Sequence, residues 1–454
     1  MSGTARRSAR LKAASALVTC AAVTLLAACG TGGPEVGAAR AVVGSDDTTA
    51  VTPSAATPAP DDLTSTQAPD ASPSASPGTP GSTPAAPPTA ARSAGPAPSG
   101  SPAPTGDAAA GSRATRGTAI PKGAVVVGRG SAASCTAAAL RSAVARVVRR
   151  GSGTVSFDCG AKPVRIALDR PLAFPGRATS RYVLYGRRLV TLDGHRVTGL
   201  VTLPSVSGLS ATFRGLTFVN ARTATQGAAI HGGWRNRLLV EDCTFLSNTS
   251  TSANGDFDGG GAIYVHEGTA TVRRSTFRGN TALNGGAIQN TIGDLVVESS
   301  SFSRNRSTVA GRGGGGGAIY SDSGRLVVRR STIKDNTAVR AGGGLFIWNA
   351  KNKTSRIENS TITGNRMTGS GDNGYGAGIR NGSGPLVVTG STISRNVTYS
   401  QGGGLYNADD AAVTITRTRF VENRAGQGGA LFRVNGRIST VRCVFTGNTP
   451  ADVR

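Results

Sequence analysis

From Gly227 onward, apolar and polar positions recur in two interlocked motifs. One is a glycine turn closing on an aliphatic residue, at Ile230, Ile263, Ile288, Ile319, Leu345, Ile379, Leu405 and Leu431. The other is Ser-Thr-Phe-x-x-Asn or a near variant, ending at Asn248, Asn280, Asn305, Asn336, Asn365, Asn396, Asn423 and Asn448. Successive asparagines lie 25 to 32 residues apart, a period that marks a repeat architecture. The aliphatic residue precedes its asparagine by 17 or 18 residues in seven repeats and by 20 in one, whereas the return varies from 8 to 15. One half of each unit is therefore fixed in length, and the other accepts insertions.

Alignment on the Phe or Ile of the second motif predicts strands. Five residues before it stand Val240, Val272, Val297, Val328, Ile357, Val388, Ile415 and Thr440, all β-branched. Seven before it, Leu238, Leu295, Leu326, Leu386 and Ile438 continue the alternation with period two. No helix-length pattern separates these strands, which argues against a doubly wound sheet. A coil of this kind buries its apolar edge only by stacking on the next. The glycines supply the positive φ angles of tight corners. Upstream, residues 134–150 read as an amphipathic helix with Leu140, Val144, Val147 and Val148 on one face, placed to cover the open end of the first coil. Thr154 to Phe157 reads as the first strand.

These residues resemble a known family. Gly260-Gly261-Ala262-Ile263, Gly285-Gly286-Ala287-Ile288 and Gly316-Gly317-Ala318-Ile319 are similar to the GGAI repeat of chlamydial polymorphic outer membrane proteins. The segments Phe245 to Asn248, Phe277 to Asn280, Phe302 to Asn305, Phe420 to Asn423 and Phe445 to Asn448 are similar to their FxxN repeat. The resemblance is close over roughly residues 227–450 and loose over 150–226. It implies an all-β fold, a single-stranded right-handed parallel β-helix solenoid of the pectin-lyase-like superfamily. The whole reads as this solenoid with an N-terminal helical cap, preceded by a disordered linker.

The N-terminal quarter has a different composition. Arg6, Arg7, Arg10 and Lys12 precede an apolar run from Ala13 to Ala28, the pattern of an export signal. Leu26-Ala27-Ala28-Cys29 resembles the lipobox of bacterial lipoproteins, which implies cleavage before Cys29 and lipidation there. Residues 30–117 hold 15 of the 22 prolines and no aromatic residue, so they bury too little apolar surface to offset chain entropy. The expected organisation is a signal peptide over 1–28, a Pro/Ala/Ser/Thr-rich stalk over 29–117, a cap with irregular coils over 118–226, and regular coils over 227–454. The expected location is the outer face of the cell membrane, held there through the lipid. Of the net charge of +25, the segment from residue 118 carries 42 basic against 18 acidic residues. The charge therefore belongs to the coils rather than to the stalk.

Cys135 and Cys159 flank the helix and its following strand, and in an exported protein their pairing would contribute on the order of 3 kcal/mol. Cys243 and Cys443 occupy a column otherwise filled by Ser or Thr, seven coils apart, and are read as small buried thiols.

Catalysis needs converging groups. An inverting glycosidase requires carboxyls about 6.5–9.5 Å apart. Asp256 and Asp258 are the nearest candidates, although their loop reads equally as a weak calcium site. No other cofactor or metal is expected. Glu241, Arg273, Glu298, Arg329 and Glu358 alternate in sign at one strand spacing, the pattern of a salt-bridge ladder that keeps carboxylates ionised. The His and paired-Asp motifs of polygalacturonases and the arginine motifs of pectate lyases are not visible. His195, His231 and His266 have no clear partner in the sequence. The asparagine column reads as structural.

Two outward columns suit binding. One residue after the GGAI aliphatic stand His231, Tyr264, Gln289, Tyr320, Phe346, Arg380, Tyr406 and Phe432. The five aromatic side chains here, Tyr264, Tyr320, Phe346, Tyr406 and Phe432, either stack sugar rings or pack against loops. Arg278, Arg304, Lys334 and Arg395 follow the second motif's Phe or Ile and either face a polyanion or belong to generic surface charge. The function expected is a lipid-anchored β-helix that binds glycan, cell-wall polymer or another surface without catalysis. The alternative is a polysaccharide lyase or glycoside hydrolase acting on an acidic polysaccharide. No nucleic-acid module is recognised.

Overall fold

Thr269 to Ala282 shows how one coil is made in the computed structural model, which describes residues 119–252, 258–308, 314–369 and 374–450. In the strand Thr269–Arg273, Ala270 and Val272 point inward while Thr269 and Arg273 face solvent. Arg274 turns the chain at φ 47°, and a second strand, Thr276–Arg278, buries Phe277. Gly279 makes the next corner at φ 65°, and the two-residue strand Thr281–Ala282 follows buried Asn280. The glycine turn then leads into the strand Ile288–Thr291 of the next coil. At Gly285 a Cβ would collide with the carbonyl of Ile288, and φ is 55° there; at Gly286 a Cβ would strike the carbonyl of Gly317 one coil on. The paired glycines therefore serve a left-handed corner and a close coil-to-coil approach respectively.

Every strand pairs in parallel with its equivalent in the neighbouring coil, and about eleven coils stack this way. The β-branched column is in register from Val240 through Val272, Val297, Val328, Ile357, Val388 and Ile415 to Thr440. The GGAI aliphatics are likewise in register from Ile230 to Leu431. The result is an all-β, right-handed parallel β-helix. Its core is built of ladders of like side chains. Phe218, Phe245, Phe277 and Phe302 stack at 4.8, 4.6 and 4.6 Å between ring centroids, and Ile333, Ile362 and Ile393 continue the column to Phe420.

The corners differ from the sequence reading in one respect. Glycine turns only part of each coil. The residue three before the motif's Phe or Ile is left-handed in every regular coil, and it is Asp242, Arg274, Ser299, Arg330, Asn359, Arg417 or Arg442 as well as Gly390. These positions accept a left-handed backbone without a β-branched side chain. Outward charges thus sit at corners as well as on strands.

The single α-helix among the described residues, α1 (Ala137–Arg149), begins at Thr136, whose side chain accepts a hydrogen bond from Ala139 N at 3.1 Å. It buries Leu140, Ala143, Val144 and Val147 and packs on Val125–Val127 and Gly153–Phe157. Ala143 thus belongs to the buried face, and Val148 lies half out of it. Thr154 to Phe157 is not the first strand, because Val125–Val127 precedes it and pairs with it, Val125 opposite Val155. That three-valine run lies between Gly123 and Gly128, too short to carry a period of its own. Cys135 and Cys159 are joined by a disulfide with a Cα–Cα distance of 5.7 Å.

Residues 1–118, with Cys29 and the Pro-rich stretch, lie outside the described residues, as does Asp256.

Candidate functional site

The strand Thr269–Arg273 and its equivalents present alternating charges, and the structure resolves who holds whom. Arg273 Nε lies 3.3 Å from Glu298 Oε2, and Arg329 Nε 2.9 Å from Glu358 Oε2. The other partner of Glu298 is Arg330, a left-handed corner residue, rather than Arg329. Corner residue Arg274 likewise holds Glu241 through Nη2 at 2.5 Å and Asp242 through Nε at 3.0 Å, while Arg214 also pairs with Glu241. Burial works to raise the Glu241 carboxyl, but the Arg274 hydrogen bond and the Arg214 charge outweigh it and hold the group below its ordinary range. Asp242 behaves the same way, burial being outweighed by Arg274 and Arg188. Such carboxylates are firmly ionised and poorly suited to donating a proton.

The four basic candidates occupy two positions rather than one column. Arg278 and Lys334 end the strands Thr276–Arg278 and Thr332–Lys334, whereas Arg304 and Arg395 sit at left-handed corners with φ 54° and 51°. All four are exposed, and none has an ion-pair partner among the described residues. Arg278, Arg304 and Lys334 belong to three successive coils, and the backbone N–H of Arg304 donates to the carbonyl of Lys334 at 3.4 Å. Arg395 lies two coils beyond Lys334. The ladder therefore spends its arginines on carboxylates, and the adjoining flank leaves its basic groups open to solvent. A second basic concavity of about 380 Å³ lies between Arg325, Arg329, Lys353 and Arg356, with Asp294 paired there to Arg325 at 3.0 Å and Lys353 at 3.3 Å.

The aromatic column is largely closed. Tyr264, Tyr320, Phe346 and Tyr406 are each less than 10% exposed, and Phe432 is half-buried. Ring faces are engaged with one another: His231 on Tyr264 at 5.6 Å, Tyr320 on Phe346 at 4.4 Å, Tyr406 on Phe432 at 5.7 Å. Packing therefore occupies the faces that a sugar ring would use. Two polar residues interrupt the column, Gln289 and Arg380.

The histidines have neighbours that spacing did not reveal. His231 Nδ1 lies 3.0 Å from the Gln226 carbonyl, and Tyr264 stands between the rings of His231 and His266. Burial lowers the His266 pKa against the opposing charge of Glu267, and burial pushes the Tyr264 hydroxyl up to about 12. Asp258, the described member of the acidic loop, is buried and accepts from Gln226 Nε2 at 2.6 Å. His195 lies 3.7 Å from Asp193, in an early coil.

The asparagine column forms a continuous buried ladder. Each side-chain amide from Asn248 to Asn423 donates to Oδ1 of the next asparagine at 2.9–3.0 Å and to a Phe or Ile carbonyl at 2.9–3.1 Å. These amides are internally satisfied, with no hydrogen left over for chemistry. The serine column forms a parallel ladder from Cys243 N through the hydroxyls of Ser275, Ser300, Ser331, Ser360 and Ser391 to Thr418. Cys243 is buried at its head and Cys443 half-buried at its foot.

Residues 190–371 match the family described as a right handed beta helix region. No curated protein sequence matches the chain. Among solved structures, the mannuronan C-5 epimerase AlgE4 A-module of Azotobacter vinelandii is similar at 12% identity, covering 70% of this chain and 92% of its own, with a TM-score of 0.35. The periplasmic alginate epimerase AlgG is similar at 10% identity over 67% of this chain and 88% of its own, with a TM-score of 0.34. Superpositions this loose do not bear on the chemistry of this chain.

Proposed function

We propose that this right-handed parallel β-helix protein is exported, lipid-anchored at Cys29, and binds an anionic glycan or cell-wall polymer along its basic flank without chemically altering it. The observation that carries the reading is the contrast between two neighbouring rows. Arg273, Arg274, Arg329 and Arg330 are consumed by carboxylates, whereas Arg278, Arg304 and Lys334 stand exposed and unpaired in three successive coils. Coils repeat at about 4.8 Å, so the flank offers positive charge at short, regular intervals along one axis. An extended polyanion gains from such a row, and a compact ligand does not. The ladder carboxylates Glu241, Asp242, Glu298 and Glu358 are each engaged by arginine.

The test is a panel of uronate-containing and neutral polysaccharides offered to the purified protein, recording retention and ultraviolet-absorbing unsaturated product together. Retention on the acidic polymers alone, with no product, is the expected outcome. Product formation, or equal retention on neutral polymers, refutes the reading.

A further inference from the structure

The capped end of the solenoid carries a charge imbalance that the later coils do not share. Residues 119–182 hold 11 basic against 2 acidic residues, whereas residues 183–454 hold 31 against 16. One of the two acids, Asp169, is already paired with Arg141. Arg146, Arg149, Arg150, Arg177 and Arg181 are exposed, and none has an ion-pair partner among the described residues.

Three of these arginines line one concavity of about 420 Å³. Arg149 and Arg150 come from the C-terminal end of α1, and Arg177 from the loop at residues 176–180 of the adjoining coil. Hydroxyls fix both rims. Ser152 Oγ accepts from Arg181 N at 2.9 Å and donates to the Gly151 carbonyl at 2.7 Å, and Ser180 Oγ accepts from Arg177 N at 2.9 Å. The backbone that carries the arginines is thus held while their side chains reach into solvent. Basic residues at the end of α1 gain from its terminal carbonyls. Arg177 stands on a loop and has no such reason to join them.

We propose that this end is a docking surface for an anionic lipid bilayer, with one phosphate headgroup seated between Arg149, Arg150 and Arg177. Guanidinium groups match phosphate oxygens in charge and in planar donor geometry. Two observations favour a bilayer over a second length of polymer. The patch is compact, confined to one helix end and one loop, and does not recur from coil to coil as the flank does. The described chain also enters the solenoid here, through Val125–Val127 beneath α1, so a tether from Cys29 reaches the molecule at this end. That second point rests on the lipid-anchored reading above. Docking by the cap leaves the flank, on later coils, free for its polymer.

The experiment is vesicle co-sedimentation of the full chain carrying Cys29→Ser, which removes the lipid attachment point. Vesicles are phosphatidylcholine alone or phosphatidylcholine mixed with phosphatidylglycerol, and the readout is the excess of binding to the anionic over the neutral vesicles. The same chain is compared with Arg149→Gln/Arg150→Gln/Arg177→Gln and with Arg278→Gln/Arg304→Gln/Lys334→Gln added. A basic residue near an anionic surface contributes about a factor of five, so the cap triple is expected to weaken the excess about a hundredfold. The flank triple is expected to weaken it by less than about fivefold. The unfolding midpoint should not change, since all three cap positions are exposed. Hydrogen exchange over residues 146–152 should slow on anionic vesicles in the chain with an intact cap and not in the cap triple. No excess on anionic vesicles, or equal weakening by the two triples, overturns the proposal. So does inorganic phosphate bound as tightly without vesicles, which would assign the concavity to a soluble ion. The exported parent with Cys29 intact is run beside them on neutral vesicles. Its failure to bind there overturns the lipid anchor alone, so the two failures are distinguishable.

Discussion

Asn305 directs both its side-chain Nδ2 and its backbone N–H at a single atom, Oδ1 of Asn336, each at 2.9 Å. Asn336 in turn donates to Asn365 Oδ1 at 3.0 Å and to the Phe302 carbonyl at 3.1 Å, all in a fully buried column. Asn336→Ala therefore strands two donors of Asn305 and removes one donor from each of two acceptors. Unmet buried donors cost about 1–3 kcal/mol each, so a loss of about 3–5 kcal/mol is expected. Asn448 accepts the same pair of bonds from Asn423 but lies at 8% exposure in the last described coil. Water can replace it more readily, and Asn448→Ala should cost about 1–2 kcal/mol. Denaturant midpoints of the two variants decide the matter; equal losses would mean that the ladder does not act as a buried network.

The asparagine and valine columns were legible in the sequence because each coil meets the same constraint, so one physical requirement is written eight times. Features met once are silent. The strand Val125–Val127 repeats nothing, and the slip that sets Gly382 beside Arg380 shows only when two coils are superposed. The alternating Glu and Arg column was readable, but its true partners were not. Arg274 and Arg330 reach the carboxylates from left-handed corners, a conformation that an arginine codon does not announce. The aromatic column was visible too, yet only the stacked geometry shows that Tyr320 and Phe346 already occupy each other's faces.

The ladder makes stability depend on pH. Glu241 and Asp242 have ordinary values of 4.5 and 3.8 and are both lowered in the fold. Their contribution is thus complete above the unfolded values and is lost as pH falls through the lower folded ones. His266 adds an earlier step. Its folded value lies below 6.5, so the fold favours the neutral ring and stability begins to fall as pH drops below about 6.5. Melting temperature measured from pH 8 to pH 3 should decline in these two stages. Arg274→Gln should flatten the acid stage and leave the His266 stage in place; an unchanged acid stage in that variant would count against the ladder.

The thiols should separate cleanly by reactivity. Burial pushes the Cys243 thiol up to about 12, and its Sγ donates to the Phe213 and Glu241 carbonyls at 3.4 and 3.3 Å. Cys443 occupies the equivalent column position in the last described coil and is half-buried. A thiol that stays protonated and enclosed does not react. Alkylation of the native protein at pH 8, followed by peptide mapping, should modify Cys443 within minutes and Cys243 only after unfolding. Cys135 and Cys159 should react only after reduction. Native labelling of Cys243 at the rate of Cys443 would contradict the closed first coils.

Binding through the basic flank should carry a salt signature that a single pocket cannot reproduce. A polyanion releases counterions in proportion to the cationic contacts it makes, so log K falls linearly with log salt, with a slope set by the number of contacts. Arg278, Arg304 and Lys334 are exposed and unpaired, so each is available for one such contact at no cost in broken ion pairs. Arg329 and Lys353 in the neighbouring concavity are already committed, to Glu358 and Asp294. Replacing the three flank residues by glutamine should therefore reduce the slope by about two to three units and weaken binding to a polyuronate at 50 mM salt by about a hundredfold. The folded state should be barely affected, because no buried group or ion pair is removed. Arg356→Gln, in the concavity, is the comparator and should change the slope by about one unit or less. If the comparator reduces the slope as much as the triple variant does, the polymer runs through the concavity, and the flank is only surface charge.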